Sequence, residues 1–301
     1  AREDASRRDF TVNGMFYGPI DKKLFDYVNG QRDLKKRILR TIGQPDERFA
    51  EDYLRMLRAV RFAVKLDFQI DTPTWQSIQK HALNITGISA ERIAAELEQI
   101  LAHPNRIQGA KQLVDSGLAK AIFPVFAGEQ ATAGIEVLAH LPQAVDFALA
   151  LASFWSGFDS KTALGQCKKL KLSNSQIKHL RFLLEKREVL LDIQMSLSGL
   201  KLLMHEPYFW DLITLQQAIQ EAEGKSAHPV RLIKRRAMEI NEKDVRPEPL
   251  LNGHELMRLG ATPGPMVGQL AQELYIHQLE EKLHSKKQAQ SWCKDWLQRH
   301  E

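Results

Sequence analysis

Apolar residues recur at spacings of three and four from about residue 46 to the C terminus, which is the period of an amphipathic α-helix. Leu54, Leu57 and Val60 form one such face, and Ser89 is placed to cap a helix over residues 90–101. Stretches with Gly or Pro interrupt the pattern at 128–134, 224–226 and 246–249. The pattern predicts a chain that is almost entirely helical after residue 45.

The first 45 residues have a mixed pattern. Residues rich in β-formers at 11–17 and 24–28 predict two short strands, and residues 34–39 fit either a helix or a strand. Asp9, Thr11 and Asn13 alternate with other residues, which would place them on one face of a strand. A lone hairpin is only marginally stable, so we expect sheet partners upstream of Ala1. The predicted fold class is mainly α, in which a small α/β segment precedes three helical segments, with bounds at 1–43, 44–127, 128–224 and 225–301.

Positive charge is concentrated near the N terminus. The net charge is +5, and residues 1–66 hold fifteen Lys and Arg against ten Asp and Glu. The remaining residues hold twenty-seven of each, so the excess positive charge lies within residues 1–66. A phosphate-rich substrate would be attracted there, although any one basic residue is more simply explained as solvated surface.

Cysteine usage and hydropathy narrow the class of protein. Cys167 and Cys293 lie far apart without metal-ligand spacing, so neither a disulfide framework nor a zinc site is expected. Such usage is typical of the reducing cytoplasm, which is the expected location. The longest apolar run, at 147–155, is too short to cross a bilayer, so no membrane partner is expected. No feature of the sequence indicates a protein partner.

Two motifs about forty residues apart carry most of the information. Residues 7–13 read Arg-Arg-Asp-Phe-Thr-Val-Asn, and residues 51–62 read Glu-Asp-Tyr-Leu-Arg-Met-Leu-Arg-Ala-Val-Arg-Phe. Together they resemble the RRD-F-T-x-N and E-D-x-x-R-x-x-R elements of the class II nucleotidyltransferases, which comprise bacterial poly(A) polymerases and CCA-adding tRNA nucleotidyltransferases. The four segments would then be the head, neck, body and tail of such an enzyme. Tyr53 stands where the family usually has proline.

The resemblance also implies two aspartates, spaced D-x-D, upstream of the first motif. Only Ala1 to Ser6 precede Arg7. The chain is therefore expected to be the larger part of an enzyme, with a truncated head, and to be inactive by itself in nucleotide addition.

The resemblance assigns the first motif to catalysis. Nucleotidyl transfer uses two divalent metal ions held by carboxylates. The resemblance implies that Asp9 completes that set as a catalytic Mg²⁺ ligand, and that Arg8 binds triphosphate or ribose oxygens. Asn13 is expected at the ribose. The alternative for Asp9 is a simple ion pair with Arg7 or Arg8 at a strand edge.

The second motif is assigned to the nucleotide base. Asp52 and Arg55 are three residues apart, so on one helix they would point the same way. The resemblance implies that they read the base edge, with Arg58 and Arg61 continuing toward the nucleotide. The alternative is an ordinary exposed salt bridge.

A third motif follows at residues 88–97. It resembles the last motif of the family's neck, in which Glu91 and Arg92 are expected to support the helix that carries Asp52 and Arg55.

RNA contacts are expected in the body and tail. Residues 249–268 resemble the tail of bacterial CCA-adding enzymes, and Gly264 precedes a helix whose free N–H groups could bind an RNA phosphate. A plain capped turn explains Gly264 equally well. The basic residues expected at the RNA backbone are Lys168, Lys169, Lys171, Arg235 and Arg236.

These observations favour a template-independent enzyme that adds C and A to tRNA 3′ ends from CTP and ATP with Mg²⁺. The partners expected are tRNA and the two nucleotides. A poly(A) polymerase or an A-adding enzyme would carry the same residues. A non-catalytic RNA-binding fragment is the alternative from another class.

Overall fold

The structure is a computed structural model that describes residues 1–20 and 22–300. The described chain is mainly α, as predicted, and divides into two compact units. Unit 1 comprises residues 1–187 and 214–225, and unit 2 comprises residues 188–213 and those from 226 onward. The predicted boundaries at 43 and 127 fall inside unit 1, and the one at 224 adjoins its last residue. The four-segment division stays a prediction.

Short elements occupy the first 70 residues. The strands form two separate two-stranded sheets, β1 antiparallel to β2 and β3 parallel to β4, and Phe10 forms an isolated antiparallel bridge with Thr41. The elements in chain order are α1 (Arg2–Arg7), β1 (Met15–Gly18), β2 (Lys23–Asp26), α2 (Gly30–Lys36), β3 (Ile38–Leu39), α3 (Pro45–Glu51), α4 (Leu54–Leu66) and β4 (Gln69–Ile70).

The predicted strand through Asp9, Thr11 and Asn13 is wrong. Thr11–Asn13 is a 3₁₀ turn, closed by the amide of Asn13 on the carbonyl of Phe10 at 2.9 Å. Thr11 is buried, and its hydroxyl donates to Asp33 Oδ2 at 2.8 Å. The chain therefore turns at these residues, and Asp9, Thr11 and Asn13 do not lie on one face of a strand.

Helices make up most of the remaining described chain. As predicted, Ser89 occupies the N-cap position of a helix that ends at Leu101. These helices are α5 (Thr72–His81), α6 (Ala90–Leu101), α7 (Arg106–Asp115), α8 (Leu118–Ile122), α9 (Gly128–Ala139), α10 (Phe147–Phe154), α11 (Ser160–Cys167), α12 (Asn174–Lys186), α13 (Leu197–Met204), α14 (Phe209–Ala222), α15 (His228–Glu239), α16 (Glu242–Val245), α17 (Gly253–Arg258), α18 (Pro265–Leu279) and α19 (Lys286–His300).

Helix α4, which carries the second motif, is fixed by packing within unit 1. It lies against α6 and α7, which also contact each other. Leu57, Val60 and Val64 are fully buried on its inner face. Gly109 of α7 permits a close approach, because a Cβ there would lie 2.4 Å from Ile100 Cγ2 and 2.9 Å from Val64 Cγ2. The arginines of α4 therefore project from a rigid support.

Unit 2 has its own apolar core, built where α18 packs on α17 and α19. Trp296 is buried in it and donates its indole N–H to Glu273 Oε2 at 2.7 Å. Lys201 is almost fully buried and pairs with Glu281 at 2.9 Å. No helix formed by the residues that the structure describes is long and apolar enough to span a membrane.

The close packing of α7 predicts that Gly109→Ala will destabilise unit 1. The added methyl group meets the Cγ2 methyl group of the fully buried Ile100, so overpacking should cost about 1–3 kcal/mol. Gly165→Ala is the matched control, because Gly165 is helical and no atom lies within 4 Å of the position that an added methyl group would occupy. That control should be neutral or stabilise by up to about 1 kcal/mol. Urea unfolding measures both, and equal midpoints would contradict the packing assignment.

Candidate functional site

Asp9 lies between α1 and the 3₁₀ turn and joins the two motifs. Arg55 Nε lies 2.9 Å from its Oδ1, and Arg58 Nη2 lies 2.7 Å from its Oδ2. The side chains of Asp9 and Arg55 are 15% and 16% exposed, so their ion pair is largely shielded, whereas Arg58 is 37% exposed. Arg7 and Arg8 instead pair with Glu3 and Asp4 of α1. The strand-edge pairing considered for Asp9 is therefore not formed.

Asp52 is not on the helix that carries Arg55. Its backbone is extended, with φ −159° and ψ 103°, between the end of α3 and the start of α4. Its Oδ1 accepts from the Leu54 amide at 3.1 Å, and its Oδ2 accepts from Arg92 at 2.7 Å. The predicted shared helix face with Arg55 is wrong, because the carboxylate binds the free amide at the helix start. Helix α4 begins at Leu54, with Tyr53 at its N-cap.

Arg92 keeps the Asp52 carboxyl ionised. Partial burial is the largest influence and opposes ionisation, but the hydrogen bonds from Arg92 and the Leu54 amide outweigh it. The pKa of Asp52 is consequently held below its usual value. The expectation that Arg92 supports Asp52 fits this contact, whereas Glu91 pairs with Lys171 at 3.0 Å.

Arg55 is held by three groups besides its place on α4. In addition to Asp9, its Nη1 donates to the Arg48 carbonyl at 2.8 Å and to Glu51 Oε2 at 2.5 Å. The hydrogen bond from Arg55, assisted by Arg48, holds the pKa of Glu51 below its usual value. The sequence alone does not identify Arg48 as a residue of the site, although it lies only three residues before the second motif.

Arg61 pairs with a buried acid from a neighbouring helix. Its Nε lies 2.8 Å from Glu96 Oε2, and its guanidinium lies 4.5 Å from the ring centre of Phe62. Burial raises the pKa of Glu96, and Arg61 and Arg58 only partly oppose the rise. Arg61 thus pairs with α6, because a buried carboxylate needs a compensating cation, and its predicted contact with the nucleotide stays a prediction.

Arg8 and Asn13 flank Asp9 in different environments. The Arg8 side chain is about half exposed, at 52%, and its guanidinium lies 5.9 Å from the Phe16 ring centre. Asn13 ends the 3₁₀ turn and is half-buried. Arg8 is therefore available to a ligand anion once its surface pair with Asp4 is exchanged.

The basic residues expected to bind RNA in the body lie at one turn. Lys168 and Lys169 are exposed in a 3₁₀ turn after α11. Lys171 follows with a left-handed backbone, φ 50°, and pairs with Glu91. All three are displayed on the surface of unit 1.

The tail residues have unequal freedom. Arg235 is exposed, but Arg236 donates to the carbonyls of Ile193 and Met195 at 3.4 and 2.8 Å. Arg236 therefore has a structural use within unit 2. Gly264 is exposed at the N-cap of the fifteen-residue helix α18, as predicted, and its φ of +118° is one that glycine adopts freely.

Three family models match most of the chain. They are described as the poly A polymerase head domain, at residues 1–40, the probable RNA and SrmB-binding site of polymerase A, at 67–130, and tRNA nucleotidyltransferase domain 2, at 143–291. The CCA-adding enzyme of Lactococcus lactis subsp. cremoris is 30% identical over 293 residues, which cover 94% of this chain and 66% of that protein. The poly(A) polymerase I of Salmonella typhi is 40% identical over 122 residues, 40% of this chain and 26% of that protein.

The solved structures show the same fold. The CCA-adding enzyme of Bacillus stearothermophilus, crystallised in complex with CTP, matches with a TM-score of 0.79 at 23% identity, covering 100% of this chain and 75% of that one. The chain belongs to the class II nucleotidyltransferase family of CCA-adding enzymes and bacterial poly(A) polymerases. It spans between about a quarter and two thirds of the length of the curated relatives it matches.

Proposed function

We propose that this chain is part of a template-independent RNA nucleotidyltransferase that adds C and A to the 3′ end of tRNA from CTP and ATP. The observation that carries the proposal is the meeting of the two motifs at Asp9, Arg55 and Arg58. Asp9 thus meets residues 46 and 49 positions further along the chain at one polar site beside the half-exposed Arg8. Relatives of the chain are CCA-adding enzymes, one of them solved with CTP.

The proposed nucleotide site reads phosphate and base with different groups. Arg8 takes triphosphate or ribose oxygens, because a guanidinium fork matches them. Asp52 accepts from the exocyclic amine that cytosine and adenine share, since each carboxylate oxygen can accept more than one hydrogen bond. Arg55 donates to the base ring, with Arg58 next to it at Asp9, and Asn13 contacts the ribose.

Family membership implies dependence on divalent metal ions, and we propose Mg²⁺. The geometry of Asp9 does not fit a metal site as it stands, because guanidinium groups already contact both of its oxygens. An ion would have to displace Arg55 and Arg58 from the carboxylate. The assignment of Asp9 as a catalytic Mg²⁺ ligand therefore stays a prediction.

RNA binding is proposed for the surfaces of the body and tail. Lys168, Lys169 and Lys171 offer charge to an RNA backbone, as does Arg235, whereas Arg236 is partly engaged. Gly264 exposes the N-terminal amides of α18 to a phosphate. The location remains proposed as cytoplasmic, in keeping with Cys167 and Cys293, which are both free.

The second candidate function is poly(A) addition to other RNA. It is favoured by the identity to the Salmonella typhi poly(A) polymerase and by two of the family models. The two activities differ in acceptor and nucleotide, not in the residues that form the site. The third candidate is RNA binding without catalysis, in which neither CTP nor ATP is consumed.

The full-length protein is expected to extend tRNA lacking its CCA end by two C residues and one A. Each nucleotide is supplied alone and then together, and products are resolved on sequencing gels. A poly(A) polymerase would instead extend tRNA and unstructured RNA with many A residues from ATP alone. Retention of tRNA in a gel shift without any extension would support RNA binding without catalysis.

The Asp9→Asn variant is expected to distinguish two roles of Asp9, which are to bind a metal ion and to orient Arg55 and Arg58. If Asp9 orients Arg55 and Arg58, the variant should bind CTP more weakly in EDTA, by about 1–3 kcal/mol, because both guanidiniums lose their charged acceptor. If Asp9 serves only a metal ion, CTP binding in EDTA should be unchanged or tighter, since a negative charge has been removed. Isothermal titration measures both, with Asp67→Asn as the control for a lost acid, because Asp67 pairs with Arg37, which has no proposed contact with the nucleotide.

Base selection is expected to depend on Asp52 and Arg55 and not on Arg8. Asp52→Ala or Arg55→Ala leaves polar partners unpaired, a cost of roughly 1–3 kcal/mol, and should raise the relative use of UTP or GTP. Arg8→Ala should weaken all four nucleotides alike, because phosphate and ribose carry no base identity. The measurement is kcat/KM for each nucleotide in the full-length protein. A uniform loss in the Asp52 and Arg55 variants would make that pair structural.

A further inference from the structure

Arg48 of α3 holds the main chain that leads into Asp9. Its Nη2 donates to the carbonyl of Arg7 at 2.9 Å and to that of Arg8 at 2.7 Å. Its Nη1 donates to both carboxylate oxygens of Glu51, at 2.8 and 2.6 Å. The Arg48 side chain is only 11% exposed, although Glu51 is half exposed, and the bonds from the Arg48 guanidinium are charge-assisted.

The same residue is tied to the side chain of Asp9 by a second route. Arg55 donates to the Arg48 carbonyl through Nη1 and forms an ion pair with Asp9 Oδ1 through Nε. Arg55 also shares Glu51 with Arg48. Residues of α3 and α4 therefore hold Asp9 in two ways. Arg48 binds the carbonyls of the two residues before it, and Arg55 contacts its carboxylate.

We propose that Arg48 is a positioning residue for the nucleotidyl-transfer site, an inference that rests on the function proposed above. It fixes the carbonyls of Arg7 and Arg8, and so sets where the Asp9 carboxylate lies relative to α4. Asp9 has a short side chain, so its carboxylate moves with the main chain. Arg8 is long and half exposed, so it can still reach a phosphate after a small shift.

This difference in reach separates positioning from plain stabilisation. Misplacing a group of the site by about 1 Å can lower turnover by up to about a hundredfold, whereas the flexible phosphate ligand retains its binding. In an Arg48 variant Asp9 keeps its charge, so Arg55 and Arg58 keep a carboxylate to pair with. Arg55 also keeps its bonds to the main-chain carbonyl of residue 48 and to Glu51. Loss of Arg48 should therefore reduce kcat more than it raises KM.

Arg187 provides a matched control. It lies in the same unit and donates to two main-chain carbonyls, those of Ser156 and Phe158, at 2.8 and 2.9 Å. Neither carbonyl adjoins Asp9 or α4. Arg187→Lys and Arg187→Ala therefore remove the same kind of bond and reproduce the general cost in stability.

The first experiment tests the clamp without reference to activity. Hydrogen exchange is followed in this chain by mass spectrometry at residues 8–14, where the amides of Thr11 and Asn13 are hydrogen-bonded. Exchange there should be fastest in Arg48→Ala and intermediate in Arg48→Lys, which can bind one carbonyl. It should be unchanged in the Arg187 variants. Equal exchange in all variants would overturn the proposal.

The second experiment tests the consequence in the full-length protein, using CTP addition to tRNA lacking its CCA end. Arg48→Ala should lower kcat by about tenfold or more, with KM for CTP within about threefold of wild type. Arg48→Lys should recover part of the loss, and both Arg187 variants should keep kcat. Thermal unfolding confirms that each variant is folded at the assay temperature.

The two possible failures are distinguishable. A wild-type protein that adds no nucleotide would refute the proposed function, and the clamp would still be decided by the exchange data. An active wild type whose kcat is insensitive to Arg48→Ala, or equally sensitive to Arg187→Ala, would refute positioning by Arg48.

Discussion

The Asp9 carboxylate, shared by Arg55 and Arg58, is the interaction on which the site depends. It joins a short, irregular N-terminal segment to helix α4. The carboxylate lies between two guanidinium groups, so its two ion pairs orient all three side chains. The first motif therefore has one position relative to the second, and Arg48 reinforces that position from the main chain.

Further ion pairs connect the second motif to the third motif at residues 88–97. Helix α6 supplies Glu96 to Arg61 of α4 and Arg92 to Asp52, which lies just before α4. Each ion pair contributes little alone when it is exposed, but the buried ones orient their partners. Apolar packing of α4 against α6 and α7 supplies the rigid frame that makes these orientations definite.

A nucleotide entering this site would exchange partners within an existing set of charges. Arg8 is already half exposed, and it contacts Asp4 in a surface ion pair and the Phe16 ring. Asp52 is kept ionised by Arg92, so its remaining acceptor capacity is available for a base amine. The site thus holds its donors and acceptors in place before binding, which limits the cost of ordering them when a ligand arrives.

The sequence by itself determined the mainly helical fold, the helix starts after Ser89 and Gly264, and the two motifs that identify the family. These features are local: helical periodicity and the signals at helix starts act within a few residues, and the motifs are contiguous. The predicted strand through Asp9, Thr11 and Asn13 failed because Thr11 is bound to Asp33, twenty-two residues away. Alternation alone could not reveal that partner.

Only the tertiary structure decided which charges meet. Sequence spacing predicted that Asp52 and Arg55 share a helix face, and the family resemblance implied that Arg61 continues toward the nucleotide. In the folded chain Asp52 binds Arg92, Arg55 binds Asp9, and Arg61 binds Glu96. The reason is physical: a charge is satisfied by whichever partner the packing of helices brings within hydrogen-bond distance, and that packing depends on apolar contacts between residues far apart in the chain.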